Sequence, residues 1–264
     1  MPCFVQGQLD QRYDGGMPLL LLHAWSESWG SFDRLIASLP SQVLVAPDLR
    51  GHGGADKPET GYSLEDVVED VVALLEALGI TRAHILGSSS GGYVAQQLAL
   101  KHSQLVASLI LVGAPLSLQG KPPFANEVDS LRDPISENWV RESLSWYRLL
   151  HTVPPSYIEG RVRDGLAMSA AIWKASLRGF YEAVPPTEAG TISVPTLILW
   201  GAHDHLVPRR HQETLCERIQ GARLKIYEQT GHLVLWERPD RLAADVRTWL
   251  GDPESREPTS PMRY

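Results

Sequence analysis

A five-residue stretch, Gly87-Ser88-Ser89-Ser90-Gly91, separates the apolar run Ile85-Leu86 from apolar residues at helical spacing, Val94, Ala95, Leu98 and Ala99. A chain that passes from strand to helix in so few residues must turn sharply. Its central residue takes a backbone conformation that side chains avoid, and glycine two positions to either side leaves room for the turn. Of the three serines, only Ser89 is flanked in this way. The pattern G-x-S-x-G in this context lifts a serine hydroxyl above the end of a sheet. A glycine-serine linker has a similar composition, but linkers do not join a buried strand to an amphipathic helix.

The remaining apolar runs agree with such a sheet. Leu19 to Leu22, Val43 to Ala46, Leu109 to Val112, Thr196 to Trp200 and Leu224 to Tyr227 alternate with helix-like segments, which predicts a mostly parallel α/β sheet flanked by helices. Val67, Val68, Val71, Val72, Leu75 and Leu78 recur at helical spacing, with Ser63 and Asp66 as a capping box and Gly79 as a stop. Leu242, Val246 and Leu250 follow Pro239 as a covering C-terminal helix. The strand rhythm fails between about Leu116 and Thr191, a stretch rich in proline and large aromatics. The expected organisation is therefore a core of residues 1–115 and 192–250, an inserted helical cap of 116–191, and a loose tail of 251–264 with few apolar residues. With 264 residues, 43% of them hydrophobic, the chain is large enough for such a core.

A serine hydroxyl is a weak nucleophile and needs a base, for which histidine titrates nearest neutral pH. Among nine histidines, His232 follows the last strand-like run in Gly231-His232, at the sheet end where catalytic loops gather. His102 and His211 lie in helical patterns and His84 begins a strand. The base needs an acceptor for its other ring N–H, and Asp204 fits, since it follows Thr196 to Trp200 through Gly201 in an expected loop. Asp48 is the rival carboxylate, but it precedes the serine and adjoins Arg50-Gly51-His52-Gly53, so a structural loop role is expected for it. Two main-chain N–H groups are expected to hold an oxyanion: that of Ser90, at the positive end of the helix, and that of Trp25, after the run Leu21-Leu22. His23 is expected to brace the Trp25 loop through side-chain hydrogen bonding.

Other functions are disfavoured. The formal net charge of -7 leaves no basic excess to neutralise phosphates, so nucleic acid is not an expected partner. The first residues lack a basic and apolar leader and no run approaches the ~18 apolar residues of a membrane span, so a soluble, cytoplasmic protein is expected, with no membrane partner. Two cysteines, Cys3 and Cys216, form no disulfide framework or metal spacing. His203-Asp204-His205 is the only hint of a metal, and three adjacent residues do not make a metal site. No metal or cofactor is expected.

Taken together, His23-Ala24-Trp25, Asp48-Leu49-Arg50-Gly51-His52-Gly53, Gly87 to Gly92, and Gly231-His232 with Glu237 and Pro239 resemble the α/β-hydrolase superfamily over nearly the whole chain. The order Ser89, Asp204, His232 is also the one that superfamily uses. Within it the chain is most similar to bacterial carboxylesterases and lactonases, the group of 3-oxoadipate enol-lactone hydrolases, acyl-homoserine lactonases and cofactor-free haloperoxidases. The resemblance implies hydrolysis of a small ester or lactone without cofactor, Ser89, Asp204 and His232 as the triad, and the N–H groups of Trp25 and Ser90 as the oxyanion hole. Carbon–carbon bond hydrolysis and peracid formation use the same triad, and a slowly turning-over ligand receptor can be built on the same fold. An aspartate nucleophile, as in epoxide hydrolases and haloalkane dehalogenases, is ruled against by Ser89. The chain departs from the family at Ala24, which usually is glycine and whose Cβ is expected to narrow the acyl pocket, and at Ser88, where histidine is frequent. Cap aromatics such as Trp139, Trp146, Tyr147 and Trp173 either line an apolar cleft over Ser89 or form the cap's own core.

Overall fold

The computed structural model describes residues 1–7 and 17–251. Seven strands form one sheet: β1 (Cys3–Gln6), β2 (Leu19–Leu22), β3 (Leu44–Pro47), β4 (Ala83–Ser88), β5 (Val106–Val112), β6 (Thr196–Gly201) and β7 (Arg223–Tyr227). They lie in the order β1-β3-β2-β4-β5-β6-β7. All pairings are parallel except β1 with β3, which is antiparallel.

The uninterrupted apolar runs are buried on both faces, as parallel strands under two helical layers require. In β2, Leu20 and Leu22 join one apolar cluster with Val45, Ile85 and Val71, while Leu19 and Leu21 join the opposite one with Leu44, Leu86 and Ile110. The helix Leu64–Ala77 begins at the expected capping box, where Ser63 Oγ accepts from Asp66 N at 3.1 Å and Ser63 N donates to Asp66 Oδ2 at 3.0 Å. It stops before Gly79, whose φ of +68° suits glycine.

β1 has no counterpart among the expected strands. It is half-buried and outermost, so although Pro2 and Gly7 flank it, it carries no buried apolar run. Between β5 and β6 the described residues form no strand. They form helices, among them Glu137–Ser143, Pro155–Leu166 and Ala170–Tyr181. Val140, Val162, Trp173, Leu177 and Phe180 from this insertion belong to the same apolar cluster as Leu20 and Ile85 of the sheet. The insertion is thus packed onto the core, not built around a separate one. The expected tail lies outside the described residues, apart from Gly251, which closes the helix Pro239–Gly251. No described helix is long and apolar enough to cross a membrane.

The strand order places the site. The chain moves from β2 outward to β3 and then returns past β2 to β4, so the connections after β2 and β4 diverge at their carboxyl ends. A crevice opens at such a reversal in parallel sheets. The loops bearing Trp25 and Ser89 flank it.

Candidate active site

Ser89 stands between β4 and the helix Ser90–Lys101 with φ +49° and ψ -120°, a conformation uncommon for any residue but glycine. It is held there by Ser89 N donating to Val112 O and Gly92 N donating to Ser89 O, each at 2.8 Å. Neither Gly87 nor Gly91 has positive φ; each is needed for room. A Cβ on Gly91 would overlap the carbonyl oxygens of Leu22 and His23, and one on Gly87 the carbonyl of Gly91.

His232 and Asp204 reach Ser89 from the loops after β7 and β6. His232 Nε2 lies 3.0 Å from Ser89 Oγ, and His232 Nδ1 lies 2.7 Å from Asp204 Oδ2. The carboxylate can only accept, so Nδ1 carries the ring proton and Nε2 is left to accept from the serine. Asp204 Oδ1 accepts from Leu206 N and Val207 N, both at 2.9 Å, and the two loops are joined by His203 N donating to Thr230 O at 2.9 Å. Burial alone would lower the pKa of His232. The charge and hydrogen bond of Asp204, with Glu27 and Glu237 adding to them, more than offset it and raise the pKa above 6.5. A base at Nε2 must be neutral. Activity that depends on it is therefore expected to be low at pH 5 and to rise through a midpoint above 6.5, read from kcat/KM against pH; a profile flat from pH 5 to 8 would exclude His232.

The Trp25 loop is held from both sides. His23 Nε2 accepts from Leu49 N at 2.9 Å, so its proton is on Nδ1, which donates to Ala24 O at 2.8 Å. Burial lowers the His23 pKa to about 4 and keeps the ring neutral in this bracing role. Asp48 is a loop brace as well, accepting from Trp29 N at 2.9 Å and Gly54 N at 2.8 Å. From the insertion, Arg161 donates to Ser26 O and, at 2.9 Å, to Ser26 Oγ, across a residue with φ +62°. Arg161 also faces Glu27 at 3.5 Å, Tyr157 donates to Glu27 at 3.1 Å, and Ser28 donates to Asp164 at 2.8 Å.

Sequence reasoning passed over Arg161 and Glu27, since a charge in a short amphipathic segment reads as solvated and no local pattern marks it as buried. Glu237, singled out there only as part of the resemblance, has a structural part that no local pattern shows. The Glu237 carboxylate accepts from Gly231 N at 3.1 Å and from Leu150 N and His151 N at 3.1 and 3.2 Å, tying the histidine loop to the insertion.

The two expected oxyanion donors differ in state. Ser90 N opens a helix and has no carbonyl within it to bond. Trp25 N does not point into open space; it donates to Ser90 Oγ at 2.6 Å.

A cleft of about 480 Å³ lies over Ser89 and His232. Ala24, Trp25, Phe124, Trp146, Tyr147, Phe180 and Tyr181 are among its walls, and Tyr147 lies parallel to the His232 ring at 5.9 Å. Of the four cap aromatics for which lining the cleft and packing inside the cap were both open, Trp146 and Tyr147 line it and Trp139 and Trp173 do not. Trp139 and Trp173 meet edge to face at 5.0 Å behind Trp25, and Trp173 is wholly buried with its Nε1 donating to Gly165 O at 3.0 Å.

The model of the alpha/beta hydrolase family matches residues 19–245. A 2-hydroxymuconate semialdehyde hydrolase of Pseudomonas sp. (strain CF600) is 27% identical over 259 residues, 91% of this chain and 89% of that protein. A pimeloyl-[acyl-carrier protein] methyl ester esterase of Neisseria meningitidis (strain FAM18) is 29% identical, with 91% of this chain and 98% of that protein covered. The crystal structure of an esterase from Rhodococcus sp. ECU1013 superposes with a TM-score of 0.79 at 28% identity, covering 95% of this chain and 94% of that one.

Proposed function

This chain belongs to the alpha/beta hydrolase family, and from that premise we propose that it hydrolyses uncharged carboxylic esters or lactones through an acyl-enzyme on Ser89. The observation that carries the reading is the hydrogen-bonded series Ser89, His232, Asp204, at 3.0 and 2.7 Å, beneath an apolar cleft. His232 Nε2 takes the Ser89 proton as Oγ attacks the carbonyl carbon. The tetrahedral oxyanion is met by donors at Ser90 and the Trp25 loop. As it collapses, His232 returns the proton to the leaving alkoxide and the alcohol departs. Water then gives a proton to His232 and attacks the acyl carbon, and the serine leaves with that proton as the acid is released. Asp204 holds the ring proton on Nδ1 throughout.

The cleft supports a substrate class. Among the described residues lining it there is no lysine or arginine; its titratable groups are Glu127, two tyrosines, His205 and His232. A carboxylate placed there would be desolvated without a cationic partner. The semialdehyde hydrolase among the relatives is named for a muconate, an acid, and this wall has no lysine or arginine to pair with such a group. The methyl ester esterase and the Rhodococcus esterase favour ester chemistry.

The test is a panel of p-nitrophenyl esters from acetate to decanoate, with p-nitrophenyl valerate set against mono-p-nitrophenyl glutarate, which adds one carboxylate at similar length. Labelling with a serine-reactive phosphonate runs beside it. The neutral ester is expected to lead in kcat/KM by at least about tenfold, the least that an unpaired, partly desolvated charge should cost. Equal turnover of both would remove the substrate class. Neither turnover nor labelling would make a ligand receptor the better reading.

A further inference from the structure

The hydroxyl of Ser90 sits where the mechanism needs a donor. Ser90 is buried and lines the cleft beside Ser89. Its Oγ accepts from Trp25 N at 2.6 Å, so that N–H, the expected second oxyanion donor, is already engaged.

The engagement is held in place by its surroundings. The Trp25 ring is fixed by Nε1 donating to Ser176 Oγ at 2.9 Å and by edge contact with Trp173 at 5.0 Å. The next residue, Ser26, is gripped by Arg161. The Trp25 peptide is therefore not free to turn its N–H elsewhere.

A hydroxyl that accepts one hydrogen bond still has a proton to donate. Among the described residues, no acceptor takes the Ser90 proton. It is a buried donor without a partner, next to the nucleophile and adjoining the N–H of the same residue.

We infer that the Ser90 hydroxyl is a further catalytic residue: it relays the Trp25 N–H to the oxyanion. In the relay Trp25 N–H donates to Oγ, and Oγ–H donates to the substrate oxygen beside the Ser90 N–H. No covalent bond changes at Ser90, and its proton stays on it. Two donors in series polarise one another, so the hydroxyl is a stronger donor than it would be alone. This inference rests on the acyl-transfer reading of Ser89. A competing role for the same geometry is a plug: a hydroxyl that fills the oxyanion position and must leave before substrate oxygen can enter.

The two roles give opposite results when the hydroxyl is removed. With p-nitrophenyl butyrate, Ser90→Ala is expected to lower kcat by on the order of 10²-fold, the usual loss for one oxyanion donor, with KM within about twofold of the parent. An alkyl trifluoromethyl ketone forms a tetrahedral adduct on a nucleophilic serine and so carries the oxyanion. Its affinity should fall by a similar factor. Ser90→Thr, which keeps a hydroxyl, should recover most of both.

Parent or higher kcat in Ser90→Ala would overturn the relay and favour the plug. A lower kcat with undiminished ketone affinity would also overturn it, because a merely structural defect does not discriminate for the oxyanion. Ser89→Ala serves as the control. If it turns over like the parent, or the ketone fails to bind the parent at all, the acyl-transfer reading has failed, whatever Ser90 does.

Discussion

Ser89→Ala is expected to lower kcat for p-nitrophenyl butyrate by at least about 10³-fold, equivalent to about 4 kcal/mol of transition-state stabilisation. Phosphonate labelling should vanish with it. The variant should fold, because alanine keeps the Cβ of the turn and, among the described residues, the Ser89 side chain is hydrogen-bonded to His232 alone. What is lost is the atom that becomes acylated, and no neighbour can replace it. Ser88 belongs to β4, and the Ser90 hydroxyl is bonded to Trp25 N while His232 Nε2 is turned to Ser89. Steady-state kinetics with intact-mass measurement of the phosphonylated protein decide the matter. A kcat within tenfold of the parent, or labelling at a different serine, would overturn Ser89 as nucleophile.

The residues that the sequence made legible are those whose role is fixed by the backbone next to them. Ser89 is read from Gly87 and Gly91 because those glycines leave the space that the carbonyls of Leu22, His23 and Gly91 fill. Asp204 and His232 were located by the strands that precede them, Thr196–Gly201 and Arg223–Tyr227, since a parallel sheet delivers all its carboxyl ends to one edge. The helix Leu64–Ala77 announced itself through its cap and its apolar face. In each instance the determining partners lie within a few residues, or the periodicity itself carries the information.

Roles set across long separations left no such trace. Arg161 and Ser26 are 135 positions apart, and Trp25 Nε1 meets Ser176 from 151 positions away. Neither arginine nor serine advertises a partner so distant. The same holds for the aromatics of the insertion: Trp146 and Trp173 are alike in composition, yet one lines the cleft and the other is sealed behind Trp25. β1 was missed for the opposite reason: it is as short as β2 and β3 but, unlike them, has no buried residue to make an apolar run. These long-range contacts have a common consequence. The insertion does more than roof the cleft, because Arg161, Ser176, Tyr157 and Asp164 all bind the loop Trp25 to Ser28, which the proposed mechanism turns toward the oxyanion. Under the proposed mechanism, the walls of the cleft and the geometry of the oxyanion donors are thereby built on the same helices.

Asp204→Asn is expected to have an effect as large as that of removing the nucleophile, a loss of about 10⁴-fold in kcat, although it changes one oxygen for an NH₂ group. The magnitude follows from which way the amide must face. Asp204 Oδ1 accepts from two main-chain donors, Leu206 N and Val207 N, so an asparagine will keep its carbonyl oxygen there, where an NH₂ would meet two N–H groups. Its NH₂ is then directed at His232 Nδ1, which must accept. The ring proton moves to Nε2, and Nε2 can no longer take the proton of Ser89. Losing the Asp204 charge also removes the leading cause of the raised His232 pKa and leaves burial, which lowers it and is opposed only by the smaller effects of Glu27 and Glu237. The residual kcat/KM should therefore titrate at lower pH than in the parent. Measuring kcat/KM from pH 4.5 to 9 for both proteins checks the two consequences together. A loss smaller than tenfold with an unmoved midpoint would show that Asp204 neither fixes the tautomer nor holds the charge of His232.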